Sequence, residues 1–294
     1  LPISNPAAAN TVAWAAIFYN TLIFAFDVFK AGHTGSSLLP DEISVNGMFL
    51  SYVYAGVLTC LVSTQSLKNL SRVTSVLVMG LFATFAGLLL PGLSNVYDTA
   101  SVLTSTPPLL PNEELGSGLL RMTPVVVSAL GFQNIVPTIT RFLDYDRQKV
   151  TIALTIGTLL PLLMYMAWTI TVLGGGIDAS SSAVGGLFTC FSLVTVTGSS
   201  LGTTMSLSEE FEIILGGLGV TSSKEKNGIS KENKDSGFSL PSVAAPIGMG
   251  LIIAQVFSSD ITETIGIAGA FGSPILYGFI PVLMVLMQQQ RQQR

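Results

Sequence analysis

The stretch Thr123-Pro124-Val125-Val126-Val127-Ser128-Ala129-Leu130-Gly131-Phe132-Gln133-Asn134-Ile135-Val136-Pro137 starts as an apolar helix and breaks in its middle. Gly131-Phe132-Gln133-Asn134 interrupts the run, and Pro137, which lacks an N–H, frees a carbonyl one turn earlier. In hydrocarbon such a break survives only against another protein surface or a cavity, because no water satisfies the exposed backbone groups. The half-helix N-terminus then favours a carboxylate, and the freed carbonyls favour an ammonium or a cation. Ser128, Gly131, Phe132, Gln133 and Asn134 are therefore candidate ligand contacts. A plain proline kink, with Gln133 and Asn134 hydrogen-bonded to neighbouring helices, is the alternative.

On both sides of this break the chain is poor in charge. Of its 294 residues 49% are hydrophobic and 10% charged, against about 25% charged in soluble domains; the mean hydropathy is +0.63. Charged residues collect between long apolar runs, so lipid is the expected solvent. Roughly 20 apolar residues cross a bilayer core, and eight windows qualify as segments one to eight: 12–29, 47–63, 73–90, 122–139, 150–173, 184–207, 243–257 and 265–287. The reading is an all-α polytopic membrane protein forming one transmembrane domain over 1–294.

The connections test that count independently, because Lys and Arg favour the cytoplasmic side of short loops. Lys68 and Arg72 follow segment two; Arg141, Arg147 and Lys149 follow four; Lys224, Lys226, Lys231 and Lys234 follow six; Arg291 and Arg294 follow eight. Only Lys30 and Arg121 of the 13 basic residues fall on the other face, so both ends of the chain are expected inside. The outer loop 97–120 is stiffened by Pro107, Pro108 and Pro111, whereas 216–242, rich in Gly, Ser, Lys and Glu, is expected to be a mobile inner linker.

Several function classes drop out. The net charge of -4 offers no basic face for nucleic acid. Cys60, Cys190 and the single His33 make neither a disulfide framework nor the usual zinc set. Gly266, Gly269 and Gly272 follow no strand and read as helix-packing residues rather than a nucleotide fingerprint. An intramembrane hydrolase built on Ser199 lacks a base, since His33 lies in an outer loop, so no enzyme and no cofactor are expected.

Segment six carries Thr195, Thr197, Gly198, Ser199, Ser200, Gly202, Thr203 and Thr204. Close helix packing through Gly198 and Gly202 is one explanation. Hydroxyls spaced i, i+3 and i+4, which put oxygens on one face to coordinate a hard cation or to form a hydrogen-bond network in its place, are the other. At the outer end of segment one, Asp27 and Lys30 are spaced i, i+3 and are expected to form a surface pair, with Asn20 the better cavity contact.

Ser128-Ala129-Leu130-Gly131-Phe132-Gln133-Asn134-Ile135-Val136-Pro137, a basic loop, then Gly157-Thr158-Leu159-Leu160-Pro161-Leu162-Leu163 with Trp168 and Leu173-Gly174, resembles the tryptophan/tyrosine permease family of the amino acid–polyamine–organocation superfamily. Thr197-Gly198-Ser199-Ser200-Leu201-Gly202-Thr203 resembles the family's eighth helix, notably in plant and algal members, and Leu88-Leu89-Leu90-Pro91 its fifth. The likeness runs over about 47–287 and places segment one by order only. It makes segments one to eight the family's third to tenth helices, a partial five-helix inverted-repeat transporter fold without the first, second and eleventh. Leu1 in place of an initiator Met, and the uncharged stretch 1–10, agree with a fragment or a processed start.

The resemblance implies secondary transport of aromatic amino acids, with a proton as coupling ion, an amino acid and the lipid bilayer as partners, and a plastid inner envelope or plasma membrane as location. The segment-four break would hold the amino acid backbone, and Thr197, Ser199 and Ser200 would line the ion or proton side. Gln133 stands where many members have His, so a His-dependent proton step does not carry over. A membrane remnant or assembly subunit that does not transport is the alternative.

Overall fold

A computed structural model describes residues 6–40, 45–94, 96, 123–124, 126–127, 136, 139–140, 143–174, 182–217, 238–258, 261–280, 282–283, 285–286 and 289. Among them there is no strand. The helices are α1 (Pro6–Ser36), α2 (Gly47–Thr64), α3 (Leu67–Ser94), α4 (Arg147–Leu173), α5 (Ser182–Gly217), α6 (Leu240–Val256) and α7 (Thr262–Ile267), the last continued by π-helical turns at Ala268–Gly272 and Pro274–Phe279. Five helices are long and apolar enough to cross a membrane: Thr11–Ser36, Gly47–Thr64, Lys68–Leu93, Arg147–Val172 and Ala183–Glu212. The protein is an all-α polytopic membrane protein.

These helices answer segments one, two, three, five and six, with ends that run further than the hydropathy windows. Segment seven is the shorter α6. Most of segment four lies outside the described residues, as do 218–237 of the expected linker; the linker's described flanks, 216–217 and 240–242, are helical. Segment eight is not one regular helix. Pro274 has no N–H to give, and the wide π turns absorb the loss.

The described chain forms two compact units. The first comprises Leu1–Thr74, Leu119–Asn134 and Val196–Arg294. Its centre is α1, which starts with Pro6 at its first position and meets no interior Gly or Pro until Gly32. Ala16, Tyr19 and Leu22 bury against Ala268, Leu276 and Ile280, with the Tyr19 and Tyr277 rings edge to face at 5.8 Å. Ala25 buries against Ala254 and Ile261. At the top of the α1–α2 hairpin a Cβ on Gly32 would strike the Ser51 side chain and the Gly47 carbonyl, so the two helices cross where only glycine fits. Asn46 caps α2, accepting from the Met48 N–H at 2.9 Å.

Contacts within this unit fix helix directions. Gly32 meets Ser51, so α2 returns along α1. Asn20 meets Ser206 while Asp27 meets Ser199, so α5 also runs against α1. Gly250 abuts Phe24 and Gln255 reaches Tyr52, so α6 runs with α1. The ends of α2 and α5, which lead to the basic residues 68–72 and 224–234, therefore point the way the charge pattern requires. Glu212 closes the latter connection: it accepts from the Ser239 N–H at 3.1 Å and the Ser242 hydroxyl at 3.4 Å, tying the end of α5 to the start of α6.

The second unit comprises Ser75–Gly118 and Ile135–Thr195. Trp168 of α4 packs with Phe85 and Phe188, and Phe85 with Phe191. Ile152, Ile156, Leu159, Leu163 and Met166 of α4 are exposed, a face that water would not tolerate and lipid suits. Asp146, outside the span, caps α4 by accepting from Gln148 and Lys149 N–H groups at 3.0 and 3.3 Å. The Lys149 backbone N–H and then its side chain hold this carboxyl below its ordinary range.

Candidate functional site

The predicted ligand contacts Ser128, Gly131, Phe132, Gln133 and Asn134 lie outside the described residues. The start of their segment is described at Thr123 and Pro124 and is placed by the π-helical turn: a Cβ on Gly269 would collide with the Pro124 carbonyl. Gly272 meets Tyr19 in the same way, so two of the three glycines read as packing residues do pack, while Gly266 has nothing within 4 Å.

Thr197, Ser199 and Ser200 lie on α5. Many hydroxyls of that helix simply return to their own backbone: Thr195 to Phe191, Thr203 to Ser199, Thr204 to Ser200 and Ser208 to Thr204 carbonyls. Three reach other helices. Ser206 accepts from the Asn20 amide at 3.2 Å, Ser199 meets the Asp27 carboxyl, and Ser200, fully buried, bonds the Tyr54 hydroxyl. Ser200 also lies 3.1 Å from the Thr197 carbonyl, and either hydroxyl of the Tyr54–Ser200 pair can donate. Gly198 and Gly202 have no described atom within 4 Å, so the described structure supplies no close packing for the GxxxG spacing.

The result is a polar seam in the first unit: Asn20 and Asp27 of α1, Tyr54 of α2, and Ser200 and Ser206 of α5, with the exposed Ser199 at its edge. Seven-residue spacing on both α1 and α5 stacks the pairs two turns apart. The expected surface pair of Asp27 with Lys30 does not form. Asp27 is 5% exposed, Lys30 faces outward, and the only cation–carboxylate pair at hand among the described residues is Lys149 with Asp146 at 3.2 Å. The physical reason is length, since α1 continues to Ser36 and puts Asp27 inside the span. Asp27 and Tyr54 are thus members that sequence reasoning missed; the i, i+7 spacing of Asn20 and Asp27 in an apolar helix is the signal that finds Asp27, and Tyr54, on α2, has no such signal. Buried polar atoms are rarely unpaired, yet Thr21 Oγ1, Asp27 Oδ2 and Ser273 Oγ have no partner among the described residues. No group of three His, Cys, Asp or Glu residues suited to a metal occurs among the described residues.

Comparison with known proteins gives a consistent picture. The profile of the tryptophan/tyrosine permease family matches residues 7–180, which takes in α1 and segment four and stops before α5. A tryptophan-specific transport protein of Pseudomonas aeruginosa (strain UCBPP-PA14) is 29% identical over 201 residues, 59% of this chain and 47% of that protein. A tyrosine permease of Enterobacter agglomerans is 28% identical over 163 residues, 49% of this chain and 38% of that protein. A tryptophan-specific transport protein of Haemophilus influenzae is 33% identical over 113 residues, covering 37% of this chain and 25% of its own length. The chain thus spans less than half the length of each of these relatives. No solved structure matches it.

Proposed function

This chain belongs to the tryptophan/tyrosine permease family, and we propose that it serves secondary active transport of aromatic amino acids across a membrane, coupled to protons. The observation that carries the reading is the family match over 7–180, which includes the segment with the Gly131-Phe132-Gln133-Asn134 break. In this reading the break cradles the amino acid backbone, with Ser128, Gly131, Phe132, Gln133 and Asn134 as its contacts. Thr197, Ser199 and Ser200 of α5 line the ion or proton side, supported by the polar seam that α5 makes with α1 and α2. No covalent chemistry is involved: alternating access rocks one group of helices against another around a midplane site. The membrane is a plastid inner envelope or a plasma membrane, which localisation of a tagged full-length protein separates.

The test is uptake by cells lacking their own aromatic permeases and expressing the full-length reading frame. Labelled tryptophan should accumulate, unlabelled tyrosine or phenylalanine should compete, and lysine or glutamate should not. No uptake above the empty-vector level by correctly inserted protein would contradict the reading and favour a remnant that does not transport.

A further inference from the structure

We propose that the Asp27 carboxyl binds and releases the proton that moves with substrate, with the Ser199 hydroxyl of α5 as its partner. The inference rests on the transport reading above and adds to it the group that carries the proton. Asp27 is an acid inside a membrane-spanning helix, 5% exposed. Its carboxyl lies beside the exposed Ser199 of α5, and its Oδ2, buried, has no hydrogen-bond partner among the described residues. Acids in such positions mark ion pathways and proton relays, because an isolated carboxylate is costly there and a neutral acid is not.

The surroundings hold no described cation to neutralise it instead. From α2 the facing titratable group is Tyr54, itself bound to Ser200. From α5 the facing groups are the hydroxyls of Ser199 and Ser200; Glu209, Glu210 and Glu212 lie more than two turns further along. Helix α6 has no ionisable residue. On α7 Glu263 is exposed, and on α1 itself Lys30 and His33 are exposed. Uptake forms one O–H bond on the carboxylate and takes the group from negative to neutral; release breaks that bond and returns the proton to water on the other side. A carboxyl held between α1 and α5 senses any motion of one against the other, since the Asp27–Ser199 and Asn20–Ser206 contacts share one seam.

The experiment uses purified full-length protein in liposomes and compares two tryptophan fluxes, accumulation driven by a pH difference and exchange at equal pH. One pH unit supports about tenfold accumulation per proton. Asp27→Asn, which keeps shape and polarity, should lose that accumulation and keep exchange, whereas Lys30→Gln should keep both. Wild-type accumulation by Asp27→Asn would overturn the assignment. Should Asp27→Asn fail to fold, Asp27→Glu decides: a moved pH for half-maximal accumulation supports it, and an unchanged profile overturns it. Infrared difference spectra of the resting protein give a readout independent of transport. A protonated-carboxyl band that grows on acidification and is absent from Asp27→Asn supports the site, even if wild-type protein exchanges no tryptophan and the transport reading falls. Absence of such a band from wild-type protein overturns it.

Discussion

Gly269→Ala should remove most of the folded protein, while Gly266→Ala, one turn earlier in the same helix, should be silent. The difference lies in what each new methyl meets. At Gly266 there is nothing within 4 Å, and alanine is the better helix former by about 1 kcal/mol. At Gly269 the methyl runs into the carbonyl oxygen of Pro124, a backbone group that cannot rotate away. Overpacking of a core typically costs about 1–3 kcal/mol and occasionally more, and a clash with backbone belongs at the upper end. Roughly 3 kcal/mol is a hundredfold shift in a folding equilibrium. The check is the monodisperse fraction and thermal midpoint of each variant in detergent. Equal behaviour of the two would mean that segment four does not dock on this turn through Pro124.

The second large effect concerns function with the fold intact. On the proposed cradle, Gly131→Val places a branched side chain where backbone groups approach the amino acid, and transport per inserted molecule should fall to background while abundance holds. Gln133→Leu should weaken substrate affinity by roughly 1–3 kcal/mol, about ten- to a hundredfold, through one unsatisfied buried partner. A structural kink reverses the order. Gly131→Val would then lower folded protein, and Gln133→Leu would be nearly silent because leucine suits lipid. Uptake normalised to correctly inserted full-length protein separates the two, and normal uptake by both variants would remove this segment from the site.

Segments one, two, three, five and six were legible in the sequence as spans because hydrocarbon leaves so few solutions to an apolar run of sufficient length. What hydropathy misjudged were the helix ends. Lys30, His33 and Thr34 end the apolar window at Phe29, but the backbone of α1 stays helical to Ser36 because nothing before Gly32 interrupts it. Two added turns carry Asp27 from the rim to the interior and dissolve the expected pair with Lys30. Glycine spacing misled for a related reason. Gly198 and Gly202 have the packing spacing and no described neighbour, whereas Gly32 and Gly250, which have no such spacing, meet Ser51 and Phe24. Period tells which residues share a face, and only tertiary structure tells which face is covered. On α5 the hydroxyl-rich composition was visible, but not the division between Thr203, Thr204 and Ser208, which serve their own backbone, and Ser199, Ser200 and Ser206, which reach α1 and α2.

The claim that this chain is part of an aromatic amino acid carrier is tested most directly by equilibrium binding of labelled tryptophan to purified full-length protein in detergent. The account predicts one saturable site per molecule, displaced by tyrosine, untouched by lysine, and weakened about ten- to a hundredfold by Gln133→Leu. Folded, monodisperse protein that binds no tryptophan at any concentration tested, or binds lysine equally well, would contradict it.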